Sequence, residues 1–196
     1  MKIYLLTAGL TAYTFCFAAP VTTAVNSPIP QVRDSVGPTI PSTTMMFAEI
    51  LNTLGLQQNF ELKESKVANI EASISRRKRY ILYNPGYINW INQTTGDKWA
   101  AMALLAHEIG HHLNGHTIRK SGSRPELELE ADEFAGFVMQ KLGATLEQSQ
   151  RVMLYIASTT GSKTHPGRAL RKDAIQKGWN RAAARAGNLA TTDQKK

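Results

Sequence analysis

The sequence predicts an α+β fold in which a short antiparallel sheet covers one central helix and further helices follow. Three observations predict it. Trp99–Leu113 carries apolar residues at helical spacing around the pattern His107-Glu108-Ile109-Gly110-His111. Asn59–Asn84 breaks into short runs of β-formers divided by turn residues. From Pro125 onward the chain reads as successive helices with recognisable starts and stops. A length of 196 residues is enough for one domain with a core, and 42% hydrophobic against 19% charged residues is the balance of a globular protein.

The elements follow in chain order. Met1-Lys2 precedes an apolar stretch, Ile3–Phe17, and the small pair Ala18-Ala19. This is the layout of a secretory leader and is short for a membrane span, so residues 1–18 are expected to be a signal peptide and the protein to be exported, periplasmic or secreted. Cys16 is the only cysteine and lies in that leader, which leaves the rest of the chain without a disulfide or a thiolate ligand. Residues 19–42 carry Pro20, Pro28, Pro30, Pro38 and Pro41 among Thr, Ser and Val, and read as an extended linker. The folded domain is expected over 43–188, with 189–196 as a disordered tail.

Within the domain, Thr43–Leu54 is helical, with Met46, Ile50, Leu51 and Leu54 on one side and Gly55 as a stop. Phe60-Glu61-Leu62, Val67–Ile74 and Tyr80–Tyr83 are the candidate strands, the last two joined by a hairpin at Ser75-Arg76-Arg77-Lys78-Arg79. Tyr80–Tyr83 is also the candidate for an edge that an extended peptide could extend by β-pairing. Asn84-Pro85-Gly86 ends that strand, and Tyr87–Asn92 leads into the central helix, which has Asp97 to cap it and Gly115 to stop it. Pro125 opens the next helix, Glu126–Leu142, ended by Gly143. Thr145 and Gln148 stand in capping-box spacing for a third, running to about Ala157, and a fourth covers about Pro166–Ala186.

The formal charge is +8, with much of the excess in Lys163–Lys196. Such a balance favours anionic surfaces, including peripheral contact with a membrane, although a solvated helix face is the simpler reading. No basic run interleaved with aromatics points to nucleic acid.

The chemistry lies in the central helix. Positions i and i+4 differ by roughly 40° of rotation, so His107 and His111 share a face and can present nitrogens to one metal ion. With no cysteine left, zinc held by histidine and carboxylate is the expected cofactor. Glu108 lies roughly 100° round from His107, where a general base for water at the metal belongs. His112 points off the ligand face, and His116 follows the helix end, where it is expected to cap carbonyls. The extended histidine pattern H-E-x-x-H-x-x-G-x-x-H fails, because Asn114 and Thr117 occupy its glycine and third histidine positions. The third ligand must then be a carboxylate of the following helix. Glu128 and Asp132 stand at i,i+4, so one can bind the metal while the other orients a histidine, and small Ala131 and Ala135 let the helices approach. Glu126, Glu130 and Glu133 then face solvent.

These residues resemble a known family. His107-Glu108-Ile109-Gly110-His111, followed by Glu128-Leu129-Glu130-Ala131-Asp132, is similar to the H-E-x-x-H and E-x-x-x-D motifs of gluzincin metallopeptidases of the CAAX-prenyl-protease and HtpX type. A third family feature, His-Pro followed by Arg, has its counterpart in His165-Pro166-Gly167-Arg168-Ala169-Leu170-Arg171. The resemblance implies a zincin-like (minigluzincin) domain, Glu128 as third zinc ligand and Asp132 as the group behind the ligands. It also implies that His165 and Arg171 face the site, with His165 as candidate donor to the oxyanion. The expected function is zinc-dependent hydrolysis of peptide bonds in polypeptide substrates of the bacterial envelope, with protein quality control as the setting. The alternative from another class is a zinc-containing binding or chaperone-like module with latent or no proteolysis.

Overall fold

The protein is described here by a computed structural model, which covers residues 40–118 and 124–193, with side chains as far as 185. The expected signal peptide, 1–18, and all of the linker before residue 40 lie outside the described residues. The architecture is α+β. The elements run α1 (Thr43–Leu54), β1 (Glu61–Glu64), β2 (Ile70–Ser75), β3 (Lys78–Tyr83), α2 (Pro85–Thr95), α3 (Trp99–Leu113), a 3-10 turn (His116–Ile118), α4 (Pro125–Lys141), α5 (Leu146–Arg151), α6 (Met153–Ile156) and α7 (Arg168–Asp193).

Local chemistry starts and stops these elements. Ser42 caps α1 by accepting from the Met45 N–H, and Gly55 ends it in the left-handed region at φ 63°. Asn84 caps α2 with Pro85 in the first turn, so the residues expected to lead into the central helix form a helix of their own. Asp97 accepts the Trp99 N–H at 2.9 Å at the head of α3, and Thr145 and Gln148 close their capping box at α5.

The sheet differs from expectation in its order. β2 and β3 are antiparallel, joined by a two-residue turn in which Arg76 and Arg77 both take positive φ, 49° and 66°. β1, however, pairs parallel with β3, giving the order β1-β3-β2. The reason is the connection between β1 and β2. Ser65 donates to the Tyr83 carbonyl and Asn84 donates to the Asn69 carbonyl, so this connection wraps round the end of β3 and places β1 and β2 on its two sides. Tyr80–Tyr83 therefore lies in the central strand, with both of its edges already paired, and cannot be the open edge. β2 is the edge strand that meets α3.

α3 is the core of the molecule. Ala100 to His112 are all buried, so the helix is covered all round instead of showing an apolar stripe opposite an open ligand face. Met46 and Ile50 of α1, Ile70 and Ile81 of the sheet and Met139 of α4 pack into the same cluster. His112 pins this assembly. Its ring stacks on Phe60 with centroids 5.3 Å apart, Nε2 meets the Tyr80 carbonyl at 2.8 Å, and Nδ1 meets Thr117 Oγ1 at 3.1 Å. It points away from the ligand face, as expected.

α7 runs along α4 at close range. A Cβ on Gly136 would collide with the Ile175 carbonyl, and one on Gly178 with the Glu133 carbonyl. Glu133 does not face solvent as expected: it reaches Lys177 Nζ and Arg181 Nη1 of α7, both at 2.7 Å. Arg181 also lies over the Phe137 ring, 5.3 Å from its centroid, so part of the C-terminal positive charge serves helix packing. α7 continues to Asp193, through much of the expected disordered tail. Among the described residues no helix is long and apolar enough to cross a membrane.

Gly178→Ala should lower stability by about 1–3 kcal/mol, because added volume at this contact meets backbone and not a movable side chain. A denaturant-unfolding midpoint at or above that of the unaltered protein would show that α4 and α7 do not pack this closely.

Candidate metal centre

Three helices and one loop build the centre. α3 contributes His107, Glu108 and His111, α4 contributes Glu128 and Asp132, α7 contributes Arg171, and His165 stands in the loop before α7. Gly110 lets α3 and α4 meet: a Cβ there would lie 3.1 Å from Phe134 Cδ1 and 3.3 Å from Ala131 Cα. This close approach brings Glu128 over the two histidines.

His107 Nε2 lies 3.0 Å from His111 Nε2 and 3.5 Å from Glu128 Oε2, and His111 Nε2 lies 3.7 Å from Glu128 Oε1. Tetrahedral ligands with bonds of about 2.1 Å stand about 3.4 Å apart, so the three separations bracket what one ion requires. All three side chains are buried, and their donor atoms lie within 4.8 Å of one another. This group could hold a metal ion.

A buried carboxylate stands behind it. Asp132 Oδ1 lies 2.8 Å from His107 Nδ1, while Arg171 donates through Nε to Oδ2 at 2.6 Å and through Nη2 to Oδ1 at 2.7 Å. Asp132 is 0% exposed and Arg171 1%. Two parallel charge-assisted bonds from the guanidinium answer the buried carboxylate, whose bond to His107 Nδ1 orients the imidazole.

The charges are coupled. Burial alone would lower His107, but the Asp132 charge and hydrogen bond, helped by Glu128, hold it up at about 9. His107 Nε2 and His111 Nε2 face each other at the point where a cation could go. Burial and then the charge of His107 press His111 well below its ordinary value. Glu128 falls to about 2: burial opposes this, and its hydrogen bond with His107 and the neighbouring positive charges prevail. Burial would likewise raise Asp132, but Arg171 and His107 keep it below the usual carboxylate value.

Glu108 is different. Burial pushes it up to about 8, with His107 pulling against this and Glu128 adding to it. Oε2 accepts the Ala72 N–H of β2 at 2.6 Å, whereas Oε1 is buried with no hydrogen-bond partner. His165 is partly exposed, its Nε2 is 3.9 Å from Glu128 Oε2, and its Nδ1 meets Thr164 Oγ1 at 2.9 Å. Burial presses it below its ordinary value.

The structure brings together His107, Glu108, His111, Glu128, Asp132, His165 and Arg171. Other participants had no clear signal in the sequence. Ala72 acts through its backbone N–H. Tyr87 of α2 lies near enough to feel the charges of Arg171 and Glu108, and burial raises its phenol above the ordinary tyrosine value. His116 does not cap carbonyls: its Nδ1 faces His111 Nδ1 at 2.9 Å, and its Nε2 faces Glu130 Oε2 at 2.9 Å. Glu130, expected to face solvent, is therefore tied inward by one oxygen.

Comparison with family models, curated proteins and solved structures finds no match. The likeness to gluzincins rests on the motifs themselves.

Asp132→Ala should destabilise the metal-free protein by about 3–5 kcal/mol, because Arg171 would be left buried without its counter-charge. The check is the denaturant midpoint of the chelator-treated protein. A loss below about 1 kcal/mol, typical of an exposed ion pair, would contradict this burial.

Proposed function

We propose that the protein is a zinc-dependent metallopeptidase of gluzincin type, with a zincin-like domain, that hydrolyses peptide bonds of polypeptide substrates in the bacterial envelope. The observation that carries this reading is Glu108, whose buried Oε1 stands without a partner beside a convergent His107, His111 and Glu128. Two histidines and one carboxylate, with a fourth position left for water or substrate, are the donor set of catalytic zinc sites.

Zinc would supply Lewis acidity, lowering the pKa of water and polarising the scissile carbonyl. Glu108 takes a proton from the attacking water at Oε1 and returns it to the departing amine nitrogen as the C–N bond breaks. A carboxylic acid and an amine result. His165, partly exposed and with Nε2 3.9 Å from Glu128 Oε2, would donate from Nε2 to the oxyanion that develops on the carbonyl. Asp132 and Arg171 keep His107 in the tautomer that offers Nε2 to the metal. β2, as the edge strand beside α3, replaces Tyr80–Tyr83 as the place where an extended substrate could pair through its backbone.

Glu108→Gln should retain one zinc per chain and lose hydrolysis of an unfolded protein substrate by about 10²–10⁴-fold. A metal-loaded Glu108→Gln protein with unaltered activity would end this reading.

One observation favours the second reading, a zinc-containing binding module with latent proteolysis. His165 Nε2 stands close enough to the ligand group to compete for the fourth position. If it closes the site, His165→Ala should raise activity from a silent starting level. If it serves the oxyanion, the same change should lower activity by about 10²–10³-fold.

A further inference from the structure

Gly115, at φ 72°, turns the chain at the end of α3 and brings His116 back against His111. The two rings meet Nδ1 to Nδ1 at 2.9 Å, and the far nitrogen of His116 meets Glu130 Oε2 at the same distance. The His116 side chain is 0% exposed and that of Glu130 is 54% exposed, so three groups in line connect a metal-site histidine to the surface.

We propose that His116 and Glu130 are positioning residues that set the tautomer of His111 for metal binding; this rests on the metal centre of the proposed function. A contact between two ring nitrogens needs one proton between them, and which ring carries it decides what His111 can do. With the proton on His116 Nδ1, His111 would accept at Nδ1 and carry its own proton on Nε2, the atom that faces His107 and Glu128. The Glu130 carboxylate can only accept, so it holds the proton of His116 on Nε2. His116 Nδ1 is then the acceptor, His111 Nδ1–H is the donor, and His111 turns the lone pair of Nε2 toward His107 and Glu128.

Asp132 does the same for His107 by direct contact. Each histidine of the centre thus has its own orienting carboxylate, one adjacent and one acting through an intervening imidazole. Both carboxylates belong to α4, as does Glu128, so one helix supplies the anionic ligand and the two groups that select the histidine tautomers.

The test uses the full-length protein, with zinc affinity measured by competition against a chromophoric chelator and the ligand-field absorption of the cobalt-loaded form recorded beside it. Glu130→Gln should stay within about threefold of the unaltered protein, because its amide oxygen can accept the same N–H. Glu130→Ala should bind zinc about tenfold more weakly. Glu130→Lys, which places a donor where an acceptor stood, should approach a hundredfold loss and shift the cobalt bands. Glu126→Lys makes the same change of charge one turn earlier on an exposed face and should leave both readouts unaltered. Equal zinc affinity across the Glu130 series, in a protein that itself binds one zinc, would overturn the positioning role and leave the metal centre standing. A Glu126→Lys loss as large as that of Glu130→Lys would also overturn it, by reducing the effect to general electrostatics. If the unaltered protein holds no zinc at all, the metal centre fails and the positioning role with it.

Discussion

Asp132 is an ionised carboxylate with no access to water, and the arrangement around it depends on how that charge is satisfied. Isolated, such a charge would be destabilising by several kcal/mol. Arg171 answers it with two parallel donors and His107 with a third. The three residues come from α4, α7 and α3, so one buried charge fixes the mutual placement of three helices. Bonds of 2.6–2.8 Å between their side chains demand backbones close together. Gly110, Gly136 and Gly178 make room for that approach, each where a methyl group would meet the neighbouring helix. Packing and electrostatics are here two descriptions of one constraint.

Much of this was legible in the sequence because it rests on spacing along single helices. The i,i+4 relations of His107 with His111 and of Glu128 with Asp132 follow from helix geometry alone, and each pair does share a face. Capping chemistry at Asp97 and Thr145 and the hairpin at Arg76-Arg77 are equally local. What was not legible involves contacts that no local rule encodes. The parallel pairing of β1 depends on where a five-residue connection passes, not on the composition of the strands. α2 was hidden because Asn84-Pro85 serves both as a strand end and as a cap with a first-turn proline. His116 and Glu130 are fourteen positions apart, and only the left-handed turn at Gly115 and the crossing of α4 bring them together. Glu133 reads as a surface residue until α7 is laid alongside with Lys177 and Arg181 on its near face.

The same geometry concentrates charge at one point. Two imidazole nitrogens at 3.0 Å, both oriented by bonds on their far sides, direct lone pairs at a common point beside Glu128. Burial opposes a charge on His107, and Asp132 with Glu128 holds it up near 9. A metal ion held there would be coupled to folding, because the cluster is assembled by the same helix contacts that form the core.

In the proposed reading, Glu108 is what separates a site for chemistry from one that serves only cohesion. A structural metal site gains from full coordination and from satisfying every buried polar atom around it. Here one oxygen of Glu108 takes the Ala72 N–H and the other meets no protein hydrogen-bond partner. A carboxyl group so placed, next to three convergent donors and raised toward neutrality by its burial, has the properties of a group whose hydrogen-bond partner arrives from outside. Water and the leaving nitrogen of a peptide are such partners in succession. On that ground the proteolytic reading accounts for a feature that a purely structural zinc module leaves without a purpose.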